Sequence, residues 1–407
     1  MQRPTDSTRR EFLTTAAAIG APLLVSPRAA FGSQANSRLT LGAIGCGGRG
    51  KWIADLFQKH GGYEIRAAAD YFQDRVDELG AKLQVAPERR HTGLEGYRRL
   101  LESDVDAVVI ETPPYFHPRQ AKDAVEAGKH VYLAKPVAVD VPGCRTVEES
   151  GRKASEKQRC FLVDFQTRTD PIYREAVKRA QYGDIGRIVC GEASYFCGPT
   201  FDEQIKWLTE KPSDPEVRLR AWGLDRALSG DIITEQNIHA LDVASWVLDA
   251  APLRAVGTGG RRARAVGTCW DQYSAIFAYP KDVVLSFASK QLGDGWDDIC
   301  CRIFGTDGTL DTHYFGEVSI RGKLPYRGGK MTSLYQDGAV ANIAAFHDSI
   351  TRGDFSNSTV APSVRSNLTT ILGRTAAWRG APVTWDEMMG AGEALTADLS
   401  GLRSGEP

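Results

Sequence analysis

Apolar residues in the first part of the chain form short runs, and the segments between the runs carry apolar residues at helical spacing. The run at 106–110 is uninterrupted, as in a strand that is buried on both faces of a parallel sheet. This alternation predicts a doubly wound, Rossmann-type α/β domain over residues 36–160. Its predicted strands are 39–44, 63–69, 106–110 and 130–133, and its predicted helices begin near 52, 75, 94 and 120.

A different pattern follows from residue 161 to residue 390. Apolar and polar residues alternate in strands that turn residues separate, with few helices between them, which predicts an α+β domain with a large, mostly antiparallel open sheet. A helix over 363–378 should pack back near the first domain, and residues 391–407 are expected to form a tail. The predicted strands are 188–193, 255–258, 272–277, 283–288, 301–304 and 317–321.

The first 35 residues have the order of an export signal. Arg9-Arg10 precedes a mildly apolar stretch over 12–25, and small residues at 33–35 follow it. The paired arginines before Phe-Leu resemble a twin-arginine signal, which predicts a periplasmic or otherwise exported protein. The alternative is an amphipathic helix that belongs to the fold.

Composition narrows the class of protein. The 407 residues include 50 basic and 51 acidic side chains and are 42% apolar, which is ordinary for a globular protein with a sizeable core. Without a basic excess we expect no nucleic-acid partner, and without a run of about 18 apolar residues we expect no membrane association after signal removal. The eight cysteines are too few for a disulfide scaffold and should be buried, inert thiols, although a Cys190–Cys197 bridge stays open.

A glycine-rich turn joins the first predicted strand to the first predicted helix. It has the form G-x-G-x-x-G, whose glycines permit the tight turn, the approach of a pyrophosphate and the packing of helix on strand. Asp70, 20 residues after the last glycine, is placed to bind a ribose 2′-hydroxyl and to repel a 2′-phosphate, so NAD is favoured. Arg75 nearby keeps NADP open. The predicted cofactor-binding residues of the turn are Gly45, Gly47, Gly48, Arg49 and Gly50.

Two further segments follow the carboxyl ends of strands, where doubly wound sheets bind ligands. Thr112, Pro113 and His117 follow the third predicted strand and should line the cofactor site, although His117 could instead cap a helix. Lys135 follows the fourth strand, beside the expected nicotinamide, where it can hydrogen-bond a substrate hydroxyl and stabilise an alkoxide.

Two candidate catalytic residues, Glu235 and His239, lie in the second domain near a candidate substrate-binding acid, Asp242. Glu235, His239 and Asp242 are spaced i, i+4 and i+7, which predicts that they share one face of a helix. His239 can act as a base because its ordinary pKa is about 6.5, and Glu235 can orient it or bind hydroxyls. The seven histidines show neither HxxxH nor HExxH spacing, so no metal is expected.

These motifs together resemble the Gfo/Idh/MocA oxidoreductases, from about residue 39 to about residue 389. The resemblance implies an NAD(P)-dependent enzyme, a dimer or tetramer joined through the open sheet, with Lys135 and His239 as catalytic residues. Two residues depart from the family pattern, since Ala134 replaces a glutamate and Glu235 an aspartate. Residues 235–239 and 385–388 resemble an exported, sugar-directed branch.

Three functions remain open. The first is hydride transfer between a nicotinamide and a ring hydroxyl of a sugar, glycoside or cyclitol. The second is glycoside hydrolysis through transient ring oxidation, which suits an exported protein that carries a tightly bound NAD. The third is a non-catalytic sugar sensor.

The candidate substrate-binding residues are Tyr115, Arg168, Arg220, Trp222, Asn237 and Asp242. Two of them have structural alternatives, since Arg168 could instead form an inter-domain salt bridge and Trp222 could instead pack in the core.

Overall fold

The computed structural model describes residues 38–293 and 295–405. The predicted export signal, residues 1–35, lies outside the described residues. Among the helices that are described, none combines the length and the apolar character needed to cross a membrane. From Leu39 onward the chain forms one unit with two sheets.

The first sheet confirms the predicted parallel, doubly wound fold. Its six strands are all parallel and lie in the order β3-β2-β1-β4-β5-β6. The sixth strand pairs with β5, so the predicted boundary at residue 160 falls one strand too early. The strands are β1 Leu39–Ile44, β2 Tyr63–Asp70, β3 Arg90–Thr92, β4 Ala107–Ile110, β5 His130–Ala134 and β6 Phe161–Asp164, and the helices are α1 Gly48–His60, α2 Gln73–Leu83, α3 Gly96–Glu102, α4 His117–Glu126 and α5 Val141–Glu156.

The second sheet has nine strands and is antiparallel except for one pair, which confirms the predicted second domain. The order is β14-β13-β12-β11-β7-β10-β9-β8-β15, with β7 and β10 parallel. The strands are β7 Ile188–Cys197, β8 Arg254–Gly260, β9 Gln272–Ala278, β10 Val284–Gln291, β11 Asp298–Gly305, β12 Gly308–His313, β13 Glu317–Gly322, β14 Tyr326–Lys330 and β15 Val383–Thr384.

Helices connect and cover the two sheets. The helices are α6 Gln166–Thr169, α7 Pro171–Tyr182, α8 Asp202–Glu210, α9 Pro215–Arg220, α10 Arg226–Ser229, α11 Ile232–Glu235, α12 Ile238–Leu248, α13 Leu334–Arg352, α14 Val360–Arg379 and α15 Trp385–Ala391.

The two long C-terminal helices tie the second sheet to the first domain. Helix α13 packs on α1, where Ile343 and Phe346 join the apolar core that surrounds Phe57. Helix α14 packs on β8, α12 and α5, which confirms the helix predicted to return toward the first domain. The second sheet therefore has one covered face and one open face.

The C-terminal tail lies against the first domain. The backbone N–H groups of Leu94 and Glu95 donate to the carbonyl oxygens of Arg403 and Ser404 at 3.1 and 2.7 Å. The Tyr71 hydroxyl accepts the Arg403 N–H at 3.1 Å. The tail thus closes over the loop that follows β2.

All eight cysteines are free thiols, and six of them are buried. Cys190 is exposed, so for this residue the expectation of burial is wrong. No Cys190–Cys197 bridge forms, because the two residues lie at opposite ends of the extended strand β7.

Candidate active site

The glycine-rich turn has the shape of a phosphate cradle. Gly45 has a φ of +93°, and an added Cβ would lie 2.6 Å from the Glu111 backbone. A Cβ on Gly50 would lie 1.8 Å from the Gly45 oxygen, whereas one on Gly48 would meet nothing within 4 Å. Helix α1 begins at Gly48 without a side-chain cap or an acidic residue in its first turn. Its N-terminus can therefore bind an anion.

A cavity of about 530 Å³ extends from this turn along the first sheet. Thr112, Pro113, Asp70 and Arg75 line it. The Asp70 carboxylate accepts the backbone N–H groups of Cys46, in the glycine turn, and of Phe72, at 2.7 and 3.0 Å. Burial raises the pKa of Asp70, and the charge of Arg75 acts in the opposite direction. The cradle and this carboxylate fit the pyrophosphate and ribose of a dinucleotide.

Arg49 of the turn lies above the carboxyl ends of three strands. Its Nε is 2.9 Å from the Glu111 carboxylate at the end of β4, and its guanidinium also pairs with Asp164 at the end of β6. Ala134 ends β5, between these two acids, and pairs in register with Asp164. Its small methyl group leaves space between Glu111 and Asp164. Burial raises the pKa of Glu111, although the charge of Arg49 opposes the shift.

Lys135 meets the second domain at Glu235. Its Nζ donates to the Glu235 carbonyl oxygen at 2.6 Å and lies 3.3 Å from Oε1 of the same residue. That carbonyl is free because α11 ends at Glu235 and α12 begins at Ile238. The His239 N–H donates to Gln236 instead, at 3.2 Å. The single helix predicted to carry Glu235, His239 and Asp242 is therefore wrong, and the break creates an acceptor for the lysine.

Several buried polar atoms around this break lack a hydrogen-bond partner. They are Glu235 Oε2, both side-chain polar atoms of Asn237, and His239 Nδ1. An unmade hydrogen bond on a buried group costs about 1–3 kcal/mol. Such a group of atoms is typical of a site whose partner is a bound molecule.

The environment of His239 keeps its imidazole neutral. Burial lowers the pKa of His239 well below its usual value, and the positive charges of Lys135 and Arg49 lower it further. The ring contacts that of Tyr314, with 5.2 Å between centroids. A neutral imidazole that lies within electrostatic range of a lysine can accept a proton.

His117 does not line the cavity. It is fully buried, and its two ring nitrogens lie 2.8 Å from the carbonyl oxygens of Thr112 and Pro136. It therefore links the segments that follow β4 and β5, and holds Thr112 and Lys135 in place. The prediction of direct cofactor contact by His117 is thus corrected to a positioning role.

Tyr115 does not line the cavity either. Its ring packs edge-on against Phe116, and its backbone N–H donates to Leu228 at 3.2 Å. Phe116 lines the cavity instead.

Arg168 and Asp242 form an ion pair rather than a substrate site. Asp242 is fully buried, and Arg168 reaches it with Nε at 3.1 Å from both oxygens and Nη2 at 2.8 Å from one. A buried carboxylate needs such a counter-charge. The ion pair lies within the second domain, so the predicted inter-domain salt bridge is not the one observed, and the two residues neutralise each other rather than facing a substrate.

Arg220 and Trp222 line the cavity near Asp70. The Arg220 guanidinium binds Asp74 at 2.9 and 3.0 Å and lies over the Phe72 ring. Both residues thus lie in the cavity that Asp70 lines, rather than at the Lys135–Glu235 contact where a sugar was expected. The contact between residues 201–222 and the loop after β2 joins segments that are distant in sequence, so no local pattern predicts it.

Comparison with known proteins agrees with this geometry. The profile described as the oxidoreductase family, NAD-binding Rossmann fold, matches residues 39–165, and that of the GFO/IDH/MocA C-terminal domain matches residues 173–311. The chain belongs to the Gfo/Idh/MocA oxidoreductase family. The two matched profiles together cover more than half of the chain.

Individual relatives are more distant. The chain is 34% identical to a glycosyl hydrolase family 109 protein of Solibacter usitatus over 35% of its length and 34% of the relative. It is 26% identical to an inositol 2-dehydrogenase of Rhodococcus erythropolis over 53% of its length and 54% of the relative. The chain therefore spans only about a third to a half of the length of these curated relatives.

The fold also matches a solved dehydrogenase structure. The scyllo-inositol dehydrogenase of Lactobacillus casei, solved with NAD(H) and scyllo-inositol, superposes with a TM-score of 0.68 at 19% identity. The match covers 86% of this chain and 99% of that one. At this identity the likeness concerns the fold.

Proposed function

We propose that the protein transfers a hydride between NAD and a ring hydroxyl of a sugar, glycoside or cyclitol. The observation that carries this proposal is the set of unpartnered buried polar atoms at the α11–α12 break, which lies against Lys135. A polyol offers several hydroxyl groups to such atoms. The phosphate cradle and Asp70 support a dinucleotide beside them.

Each residue at the break has a distinct task in this proposal. The Lys135 ammonium has three N–H groups, and two of them face Glu235, so the third can stabilise an alkoxide. The neutral imidazole of His239 accepts the hydroxyl proton. Asn237 binds a second hydroxyl, and Glu235 orients the lysine rather than the histidine. The bound dinucleotide supplies the group that accepts or returns the hydride.

The same geometry supports NAD rather than NADP. The Asp70 carboxylate lines the cavity where a ribose 2′-hydroxyl would bind, and it repels a 2′-phosphate. Arg75 and Arg220 both line this end of the cavity, but Arg220 is already paired with Asp74. Replacement of Asp70 by alanine should therefore reduce the ratio of NAD affinity to NADP affinity by at least tenfold.

Absorbance of the reduced nicotinamide, measured with a panel of cyclitols and glycosides, tests the proposal. Lys135→Met and His239→Asn should each reduce kcat by about 10²–10⁴-fold while dinucleotide binding is kept. Lys122→Met, at an exposed lysine, is the matched control. Equal activity of all three variants would contradict the assignment, and sugar binding without turnover would favour a sensor.

A redox-neutral glycoside hydrolase is the second candidate. Ring oxidation would permit elimination of the glycosidic group, and water addition and re-reduction would complete the reaction. A second cavity of about 440 Å³ beside Arg49 favours a substrate larger than one ring, because Trp52, Phe315 and Tyr335 line it. The family 109 relative adds support. Release of nitrophenol from an aryl glycoside without added NAD would distinguish this reaction from net oxidation.

The packing around the cleft supports a tightly bound cofactor, which both reactions can use. Arg220, which lines the cavity, is held by Asp74, and the tail packs against Tyr71 and Leu94, which also line it. We expect a dinucleotide to co-purify with the protein. Native mass spectrometry would detect it, and a protein that is wholly free of nucleotide would contradict tight retention.

Export and self-association complete the proposal. The Arg9-Arg10 signal implies a twin-arginine route, and cell fractionation tests it. The open face of the second sheet carries the exposed apolar side chains of Val256, Ile276 and Val284, which supports a homodimer or homotetramer joined there. A chain that sediments as a monomer, or that stays in the cytoplasm, would contradict these expectations.

A further inference from the structure

Three side chains with different metal-binding atoms meet on the open face of the second sheet, away from the dinucleotide cavity. Cys300 of β11 lies directly opposite His313 of β12 in the strand register. Asp298 precedes Cys300 by two residues and so lies on the same face. One ligand atom from each of the three lies within 4.8 Å of the others.

The surroundings of His313 favour a metal-binding orientation of its ring. Its Nδ1 is 2.8 Å from the Asp298 carboxylate, and its Nε2 is 3.1 Å from the Asp311 carboxylate. When Nε2–H donates to Asp311, the Nδ1 lone pair is directed toward Asp298. A carboxylate that fixes a histidine in this way is the usual outer partner of a zinc ligand.

Asp311 is itself held in place. The Arg302 Nε donates to it at 2.8 Å, and the Arg302 Nη1 donates to Glu192 at 2.6 Å. The Arg302 Nη2 also lies 3.4 Å from the His313 Nε2. Two carboxylates thus balance the charge of the arginine, so it adds no net repulsion toward a cation at the trio.

We propose that Asp298, Cys300 and His313 bind a zinc-class divalent ion, with water in the fourth position. Sulfur, imidazole and carboxylate donors together suit Zn²⁺, whereas a thiolate excludes Mg²⁺ and Ca²⁺. Binding replaces the Asp298–His313 contact and the 3.1 Å contact between Cys300 and the Ser194 hydroxyl. It releases the thiol proton to solvent.

This site also explains why the spacing of the histidines predicted no metal. HxxxH and HExxH describe ligands one turn apart on a single helix. Here the ligands are cross-strand neighbours, so the 12 positions between Cys300 and His313 carry no motif. The absence of HxxxH and HExxH spacing therefore argues only against a metal site on a single helix.

Titration of the purified, metal-stripped protein with Co²⁺ tests the proposal. Cobalt bound through a thiolate gives a near-ultraviolet charge-transfer band, which Zn²⁺ should displace. We expect saturation at one ion per chain, with the band lost in Cys300→Ser and retained in Cys190→Ser. The latter is a matched control because Cys190 is an exposed thiol of β7 on the same face.

The other variants test the geometry without removing the thiol. His313→Gln should weaken cobalt binding by at least tenfold, and Asp311→Asn should weaken it by about 10–100-fold through the loss of the outer carboxylate. Circular dichroism without metal establishes that each variant is folded. Absence of a thiolate band in the parent protein, or a band that survives in a folded Cys300→Ser or His313→Gln protein, would overturn the proposal.

Discussion

Replacement of Arg168 by methionine should destabilise the protein strongly and should identify this arginine as a structural residue. Methionine keeps an apolar stem of similar length but loses the guanidinium, whose Cζ lies 5.3 Å from the centre of the Trp246 ring. It removes all three nitrogen–oxygen contacts, of 2.8–3.1 Å, from a carboxylate that is 0% exposed. The main loss is therefore that of the counter-charge.

The size of the effect follows from which partner remains. A buried carboxylate left without its partner costs about 3–5 kcal/mol. In Asp242→Asn the remaining charge belongs to Arg168, whose side chain is 14% exposed and can turn toward water, so the loss should be only about 1–3 kcal/mol. Replacement of both members of a buried ion pair by apolar residues often changes stability little. The double variant Arg168→Met/Asp242→Leu should therefore recover most of the stability that Arg168→Met loses.

Urea unfolding, followed by circular dichroism, measures these differences. The control is Arg352→Met, which removes an exposed i,i+4 pair with Asp348 and should change stability by less than about 0.5 kcal/mol. If Arg168→Met unfolds at the same urea concentration as the parent while KM for the sugar rises, the structural assignment is refuted. A substrate-binding role for Arg168 would then be correct.

Three other measurements test separate parts of the structure. His130 accepts a backbone N–H at 2.9 Å, and burial lowers its pKa to about 4. Its contribution to stability is therefore complete above pH 6.5 and falls by about 2–3 kcal/mol as the pH drops toward 4, and His130→Gln should flatten this part of the urea-midpoint profile between pH 7 and 5. An unchanged profile would contradict this. Gly50→Ala should weaken NAD binding in calorimetry by at least tenfold, because its Cβ would lie 1.8 Å from a backbone oxygen, whereas Gly390→Ala, with nothing within 4 Å, should bind normally. Equal affinities would refute the cradle. Removal of residues 393–407 should speed dinucleotide dissociation in stopped-flow fluorescence by at least tenfold, because the tail packs against Tyr71 and Leu94, which line the cavity. An unchanged dissociation rate in a folded truncation would refute this role of the tail.

Strands with clear apolar patterns were predictable from the sequence, and strands with little apolar character were not. The six strands predicted in the second domain correspond to β7, β8, β9, β10, β11 and β13. β14 reads Tyr-Arg-Gly-Gly-Lys and β3 reads Arg-His-Thr, and neither contains the alternation that marks a half-buried strand. Both are edge strands, which need not bury a face.

The candidate site was predictable where local spacing determines chemistry. The glycine turn, Asp70 and Lys135 follow strands, and their place at the carboxyl edge of the sheet follows from the topology. Spacing of i, i+4 and i+7 cannot indicate whether the backbone continues as one helix, and the break at residues 236–237 changes the partners of Glu235. Long-range pairs such as Arg168–Asp242 depend on packing between distant elements, which no local pattern records.

The family's usual glutamate before Lys135 is replaced by Ala134, and the structure accounts for the substitution. Two carboxylates on neighbouring strands flank this position, Glu111 and Asp164, and Arg49 spans them above the alanine methyl group. A glutamate at 134 would place a third acid beside one arginine, with a repulsion that burial would increase. Lys135 meanwhile obtains its carboxylate from Glu235, 3.3 Å away. Ala134 is therefore compatible with a functional lysine, because the charge lost from β5 is supplied by neighbouring elements, and the substitution alone gives no reason to regard the protein as a non-catalytic sensor.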